Sequence, residues 1–293
     1  MGTAWFRRLL AATDLSRNGS RAVGRAVRLA RLHEARVTAL CAGSPGLGAD
    51  VLDQARERLA GHLRRYAGGP GVDVVVRVGR VSPTVAVEVE RCAADLLVVG
   101  AHGGDLPADA LLGMVPENLI RSGRAPVLVV RGPPGVDCRT VLLAVDVTDS
   151  SRKAARRGIA LTPGAEHYAV HVCAVPGEHL LRMHGVGEEE LSQLRHVCLE
   201  EVRPRAECLV GSLASPVPPH LLVTTGSPAS AVPELAGLHG ADLIVTGAGA
   251  RSKWEHALLG SVAGRRRLPP AAAAEHVMRR ARCDVLIVQG ARR

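Results

Sequence analysis

Apolar residues in this chain fall into short runs, interrupted only at Thr38 and His171, separated by longer amphipathic stretches. Residues 9–12, 37–42, 96–99 and 127–130 form such runs in the first half, and residues 141–145, 169–174, 243–245 and 285–288 in the second. They are rich in Val and Leu and do not alternate with polar residues, which suits strands buried on both faces of a sheet. The stretches between them carry a helical period. Ala22, Val23, Ala26, Val27 and Ala30 recur at i, i+3, i+4 spacing after a capping cluster at Ser16 to Ser20, and Ala154, Ala155 and Ile159 follow Ser150 and Ser151 in the same way. Ser82 with Pro83, and Ser227 with Pro228, have the chemistry of N-cap and N1 of the helix after a third strand. Pro233 predicts a later start for the second of these helices, near Ala231. Strands alternating with helices predict right-handed βαβ crossovers and a parallel, doubly wound sheet.

The pattern is written twice. Leu9 to Asp14 aligns with Val141 to Asp146, and Val37 to Ala42 with Ala169 to Ala174, both 132 residues apart. Val78 and Gly79 align with Thr225 and Gly226, and Ala94 to Gly100 with Ala241 to Gly247, now 147 apart; the second half thus carries fifteen extra residues between its second and third strands. Pro126 to Val130 aligns with Asp284 to Val288, 158 apart, which places eleven more residues before the last strand, at 264–274. The repeat predicts two similar domains, 1–131 and 139–293, joined by a Gly- and Pro-rich linker at 132–138 and related by a pseudo-two-fold axis. The apolar strands 126–130 and 284–288 are expected at the domain junction, because exposed edges of this kind invite aggregation. In the 264–274 insertion, three arginines followed by Leu268, Pro269 and Pro270 cannot continue a helix, so an exposed basic loop is expected, with helix resuming near Ala272.

A length of 293 residues is enough for two buried cores. With 47% apolar residues and 2% aromatics, those cores are aliphatic, and intrinsic disorder is excluded. No apolar run approaches a membrane span and no signal peptide is visible, so a soluble, cytoplasmic protein without a membrane partner is expected. Seven cysteines at 41, 92, 138, 173, 198, 208 and 283 include no C-x-x-C pair and no His at ligand spacing; they are expected to be reduced core residues rather than a metal or redox site. The net charge of +9 is carried almost wholly by arginine, with only two lysines, Lys153 and Lys253. The arginines are scattered over helical faces without aromatic residues for base stacking, which argues for a solvated surface and against nucleic acid.

In an open parallel sheet a ligand sits beyond the carboxyl ends of the strands, where the winding reverses. Asp14 and Asp146 stand there, one at the end of the first strand of each half. Such a carboxylate either accepts a hydrogen bond from a purine amino group or ribose hydroxyl, or caps the next helix; the sequence favours neither. The fourth strand of the first half runs into Gly100-Ala101-His102-Gly103, nine residues, then Gly113-Met114-Val115-Pro116. Its counterpart reads Gly247-Ala248-Gly249-Ala250, nine residues, then Gly260-Ser261-Val262-Ala263. Glycines let the backbone approach a phosphate, and a helix starting after Gly113 or Gly260 would aim free N–H groups at an anion. One such loop is a weak signal; two at the same spacing are specific.

Both halves therefore resemble universal stress protein domains, and the chain resembles a tandem member of that family over residues 6 to 290. Nucleotide-binding members carry G-x2-G-x9-G-(S/T) after the fourth strand and Asp at the end of the first. The resemblance implies two tandem Rossmann-like α/β domains of the HUP type. Each would be a five-stranded parallel sheet of order 3-2-1-4-5 flanked by helices, with the domains paired intramolecularly through their fifth strands and a homodimer as a further assembly. It implies a part in stress responses and binding of ATP, with or without Mg2+, or else a nucleotide-free scaffold acting through protein contacts. Carried over by position, the adenine and ribose contacts fall on Asp14 and Leu40, and on Asp146 and Val172. Phosphate contacts fall on Gly100, His102, Gly103, Gly113 and Val115, and on Gly247, Gly249, Gly260, Ser261 and Val262.

Two departures weaken the motif. Met114 stands where Ser or Thr belongs; Ala250 stands where the second glycine belongs, and the 264–274 insertion interrupts the helix behind it. One lost hydrogen bond to a charged group costs roughly 1.5–3 kcal/mol, about 10- to 150-fold in affinity. Weak binding in at least one half is expected, the first being preferred for its intact glycine path and for Pro116 in the first helical turn. Catalysis lacks its signatures: there is no P-loop lysine, no G-x-S-x-G and no H-E-x-x-H, which leaves slow ATP hydrolysis as the one open reaction.

Overall fold

The computed structural model describes residues 5–43, 49–64, 71–101, 114–175, 177–248 and 272–289. These fall into two compact units: unit 1 is the chain up to Asp137 together with 283–287, and unit 2 begins at Cys138 and runs to Arg282, with residues 288–289 added.

Unit 1 contains β1 (Arg8–Thr13), β2 (Arg36–Gly43), β3 (Val72–Val78), β4 (Leu96–Gly100) and β5 (Val127–Val130), with helices α1 (Arg17–His33), α2 (Ala49–Leu63), α3 (Val81–Arg91) and α4 (Met114–Ser122). The five strands are parallel in the order β3-β2-β1-β4-β5. β1 therefore has β2 on one side and β4 on the other, and the winding reverses at its end. Leu10, Ala11, Leu40, Leu96, Val98 and Val127 are fully or almost fully buried. α1 starts where Ser16 Oγ accepts the Gly19 N–H at 3.2 Å, and the Ala22, Val23, Ala26, Val27, Ala30 stripe is entirely buried.

Unit 2 contains β6 (Thr140–Ala144), β7 (Glu166–Cys173), β8 (His220–Thr225) and β9 (Leu243–Ala248), parallel in the order β8-β7-β6-β9. Its helices are α5 (Asp149–Leu161), α6 (Glu178–Met183), α7 (Glu188–Gly211), α8 (Pro228–Leu238) and α9 (Ala272–Arg280). α9 opens at Ala272; residues 264–271, the rest of the basic insertion, lie outside the described residues.

Strand register corrects the alignment of the halves. Ala12 pairs with Leu40, whereas Ala144 pairs with Val170. The ends agree: Gly79 donates to Gly43 O at 2.9 Å and Gly226 to Cys173 O at 3.0 Å. β2 and β7 thus correspond at an offset of 130 rather than 132, and the extra chain before β8 is 17 residues, 147 less 130. The chain between β6 and β7 is shorter because α5 has 13 residues where α1 has 17. Two helix starts are also corrected. α3 begins at Val81 with Arg80 as N-cap, so Ser82 and Pro83 sit inside its first turn. α8 begins at Pro228 after Ser227 and runs on through Pro233; its first turn is closed by Ala231 N–H to Ser227 O at 2.9 Å, and burial of Pro228, Ala229, Val232 and Ala236 offsets the bond Pro233 cannot make.

The last strand, β10 (Asp284–Gln289), runs antiparallel to β5, with Val285 opposite Val129, Leu286 opposite Leu128 and Ile287 opposite Val127. This pairing groups residues 283–287 with unit 1. Asp284, only 1% exposed, accepts the N–H groups of Arg131 and Gly132 at 2.7 and 2.8 Å and faces Arg25 Nε at 3.1 Å. Arg25 donates in turn to Pro133 O and Val136 O, which ties the segment after β5 to α1.

Only Cys41 behaves as a core cysteine. Cys92, Cys138, Cys173, Cys198 and Cys283 are half-buried and Cys208 is exposed.

Candidate ligand site in unit 1

The site is built by the turn after β1. Asp14 Oδ1 accepts the Ser16 N–H at 3.0 Å and Thr13 Oγ1 accepts the Leu15 N–H at 3.0 Å. Between them Leu15 holds φ +64, a left-handed conformation that costs a side-chain-bearing residue about 1–2 kcal/mol and is held by these two bonds. α1 then begins, and Gly19 in its first turn comes so close that a Cβ would lie 2.5 Å from Thr13 Oγ1 and 2.6 Å from Asp14 Oδ1. At Gly100 a Cβ would lie 2.9 Å from Asn18 O, so glycine at both places lets α1 settle against the ends of β1 and β4.

A cavity of about 170 Å³ lies at these strand ends. Ala12, Leu40, Val99, Val81, Val85, Val115 and Pro116 make it apolar, and Thr13, Asp14, Gly19, Ala42 and Gly100 complete its lining. Asp14 is exposed to solvent while Leu40 is fully buried. Four expected contact residues, Asp14, Leu40, Gly100 and Val115, thus line one cavity; His102, Gly103 and Gly113 lie outside the described residues. Gly19, Ala42, Val81, Val85 and Val99 escaped the sequence reading. Gly19 had a signal: a glycine three residues after a serine cap, in a helix otherwise rich in Ala and Val.

Unit 2 arranges the same turn differently. Asp146 is only 5% exposed, and its Oδ1 accepts both the N–H of Thr148, at 3.2 Å, and the Thr148 hydroxyl. Ser151, the counterpart of Gly19, donates its hydroxyl to the Asp146 carbonyl and lies 3.1 Å from Thr148 O. Neither aspartate is the N-cap, a role taken by Ser16 and Thr148; each closes an Asx turn just before it. Val172 is buried, but by register it corresponds to Ala42, and Val170 is the counterpart of Leu40. At Gly247 a Cβ would come no closer than 3.4 Å to Ser150 O, looser than at Gly100. Gly249, Ala250, Gly260, Ser261 and Val262 lie outside the described residues. His171 Nδ1 donates to Val145 O at 2.9 Å and His167 Nε2 lies 3.1 Å from Thr162 Oγ1; burial lowers the pKa of both rings.

The cavity in unit 1 is suited to holding a flat apolar ring beside one carboxylate acceptor. Thr13 and Asp14 are its polar side chains. The Cys41 thiol, next to Leu40, is pushed up by burial and further by the Asp14 charge, which leaves it protonated and weakly nucleophilic at neutral pH. Among the described residues no cluster of His, Cys, Asp and Glu could hold a metal ion, and no helix is long and apolar enough to cross a membrane.

Residues 6–131 and 138–289 each match the model of the universal stress protein family. The chain belongs to the universal stress protein family. A universal stress protein of Mycolicibacterium smegmatis is 43% identical over 75 residues, 26% of this chain and 24% of the relative, so the match spans about a quarter of that protein. A functionally unknown protein of Pseudomonas aeruginosa PAO1 shares the fold with a TM-score of 0.63 at 19% identity, over 98% of this chain and 93% of that one. A universal stress protein of Archaeoglobus fulgidus does so with a TM-score of 0.63 at 17% identity, over 98% of both chains.

Proposed function

We propose that unit 1 of this tandem universal stress protein binds an adenine nucleotide, ATP or a close relative, and that the protein is a stress-response regulator rather than an enzyme. The observation that carries this reading is the apolar cavity at the switch point with Asp14 beside it. Its size of about 170 Å³ falls below the roughly 300–1,000 Å³ that encloses a whole ligand, which favours the base inside and the rest of the nucleotide outside. Asp14 would accept from the purine amino group or a ribose hydroxyl. The first turn of α4, which follows Gly113, offers N–H groups to phosphate, with Mg2+ as the phosphates' own counter-ion. Met114 withholds the hydroxyl of the motif, so affinity is modest.

Unit 2 takes the second reading, a fold kept without nucleotide and used for protein contacts. Its Asp146 is buried and occupied by Thr148, and Ser151 stands where Gly19 lets Thr13 and Asp14 pack against α1. Calorimetric titration of the full chain with MgATP tests the assignment. Asp14→Ala should weaken binding about 10- to 150-fold, the worth of a hydrogen bond to a charged group, and Asp146→Ala should leave it unchanged. Intact binding in Asp14→Ala with loss in Asp146→Ala would reverse the two roles.

A further inference from the structure

We propose that Cys173 and Cys198 are a peroxide-responsive pair that closes into an intramolecular disulfide within unit 2. The two are 25 positions apart in sequence and share no C-x-x-C motif, yet the end of β7 and the middle of α7 bring them together. Cys173 Sγ lies 3.9 Å from the backbone carbonyl of Cys198, close enough for the two side chains to be neighbours. Both residues are free and half-buried. α7 is held in place one turn earlier, where Arg195 Nε meets Glu178 of α6 at 3.0 Å and Arg195 Nη1 meets Glu188 at 3.2 Å. Unit 1 has nothing equivalent, since the register counterpart of Cys173 is Gly43.

Burial pushes the Cys173 thiol up to about 11, which suits it to the second, resolving step and leaves the first attack to Cys198. The Cys198 thiolate attacks an oxygen of hydrogen peroxide; an S–O bond forms, the O–O bond breaks, and the departing hydroxide takes a proton to leave as water. Cys173 then gives up its proton and attacks the sulfenic sulfur; the S–S bond forms, the S–O bond breaks, and a second water leaves. Two thiols lose two electrons in all, and one peroxide gains them. The bridge fastens α7 to the end of β7 beside Val172, the counterpart of the cavity residue Ala42.

Peptide mapping tests this on the full chain. After excess hydrogen peroxide, alkylation and trypsin, the peptides 158–182 and 196–205, each with a single cysteine, should appear as one linked species that dithiothreitol separates. Cys198→Ser and Cys173→Ser should each abolish it, and only the wild type should show a peroxide-induced rise of several degrees in melting temperature. The proposal is overturned if, in natively folded protein, the two peptides emerge unlinked with alkylated or sulfinic cysteines, or linked to other cysteines instead.

Discussion

The turns that follow β1 and β6 begin with the same residue and finish in different chemistry. After β1, Asp14 accepts the Ser16 N–H and remains exposed beside a cavity; after β6, Asp146 is buried and accepts both the N–H and the hydroxyl of Thr148. The difference comes from neighbours. Gly19 has no Cβ, which lets Thr13 and Asp14 close on the first turn of α1, whereas Ser151 carries a hydroxyl that it bonds to the Asp146 carbonyl. The burial of a carboxylate at a switch point thus depends on the residue five positions on, and on the proposed reading only the exposed one meets a ligand.

Substitutions should separate these roles, and the largest effect is expected away from both turns. Asp284, the most deeply buried of the described carboxylates, pairs with Arg25 in unit 1. Asp284→Ala would leave that guanidinium buried and uncompensated and should cost about 3–5 kcal/mol in urea unfolding. Asp146→Ala strands the N–H and hydroxyl of Thr148 and should cost about 1–3 kcal/mol, while Asp14→Ala, at an exposed site, should cost less than about 1 kcal/mol. Equal losses at the two aspartates would break the comparison. Gly19→Ser pushes a Cβ to 2.5 Å from Thr13 Oγ1, so it should lower MgATP affinity at least about tenfold with an overpacking cost of about 1–3 kcal/mol. Unchanged affinity would remove Gly19 from the site.

The smallest effect concerns acid. His167 and His171 are held neutral by burial, with folded pKa values below the ordinary 6.5. As pH falls through about 6.5 the unfolded chain takes up protons first, so their contribution to stability is complete above that pH and declines below it. Amide exchange should show β6 and β7 losing protection between about pH 7.5 and 5.5. β1 and β2 should lose less, because their register counterparts are Val37 and Cys41. Equal loss in both units would show that other groups set the acid response.

Much of this was readable from the chain. The apolar runs are strands, the Ala and Val stripes are buried helix faces, and the motif positions Asp14, Leu40, Gly100 and Val115 line one cavity. The β7 register was not readable. Cys41 and Cys173 align by eye, and a strand slipped by two residues keeps the same side chains on the same face, so the hydrophobic pattern cannot detect the shift. The start of α8 was not readable either, because Pro233 forbids one hydrogen bond but says nothing of the four buried residues that outweigh it.

Sequence alone determined that there are two βαβ-wound halves, where their strands lie, and which aspartates and glycines stand at the strand ends, because these follow from local period, turn chemistry and repetition. Tertiary structure alone decided that Asp14 is exposed and Asp146 enclosed, that Arg25 and Asp284 form a buried pair, and that Cys173 lies against the Cys198 carbonyl. Those outcomes depend on contacts between residues far apart in the chain, whose distances are set by packing and not by any pattern along it.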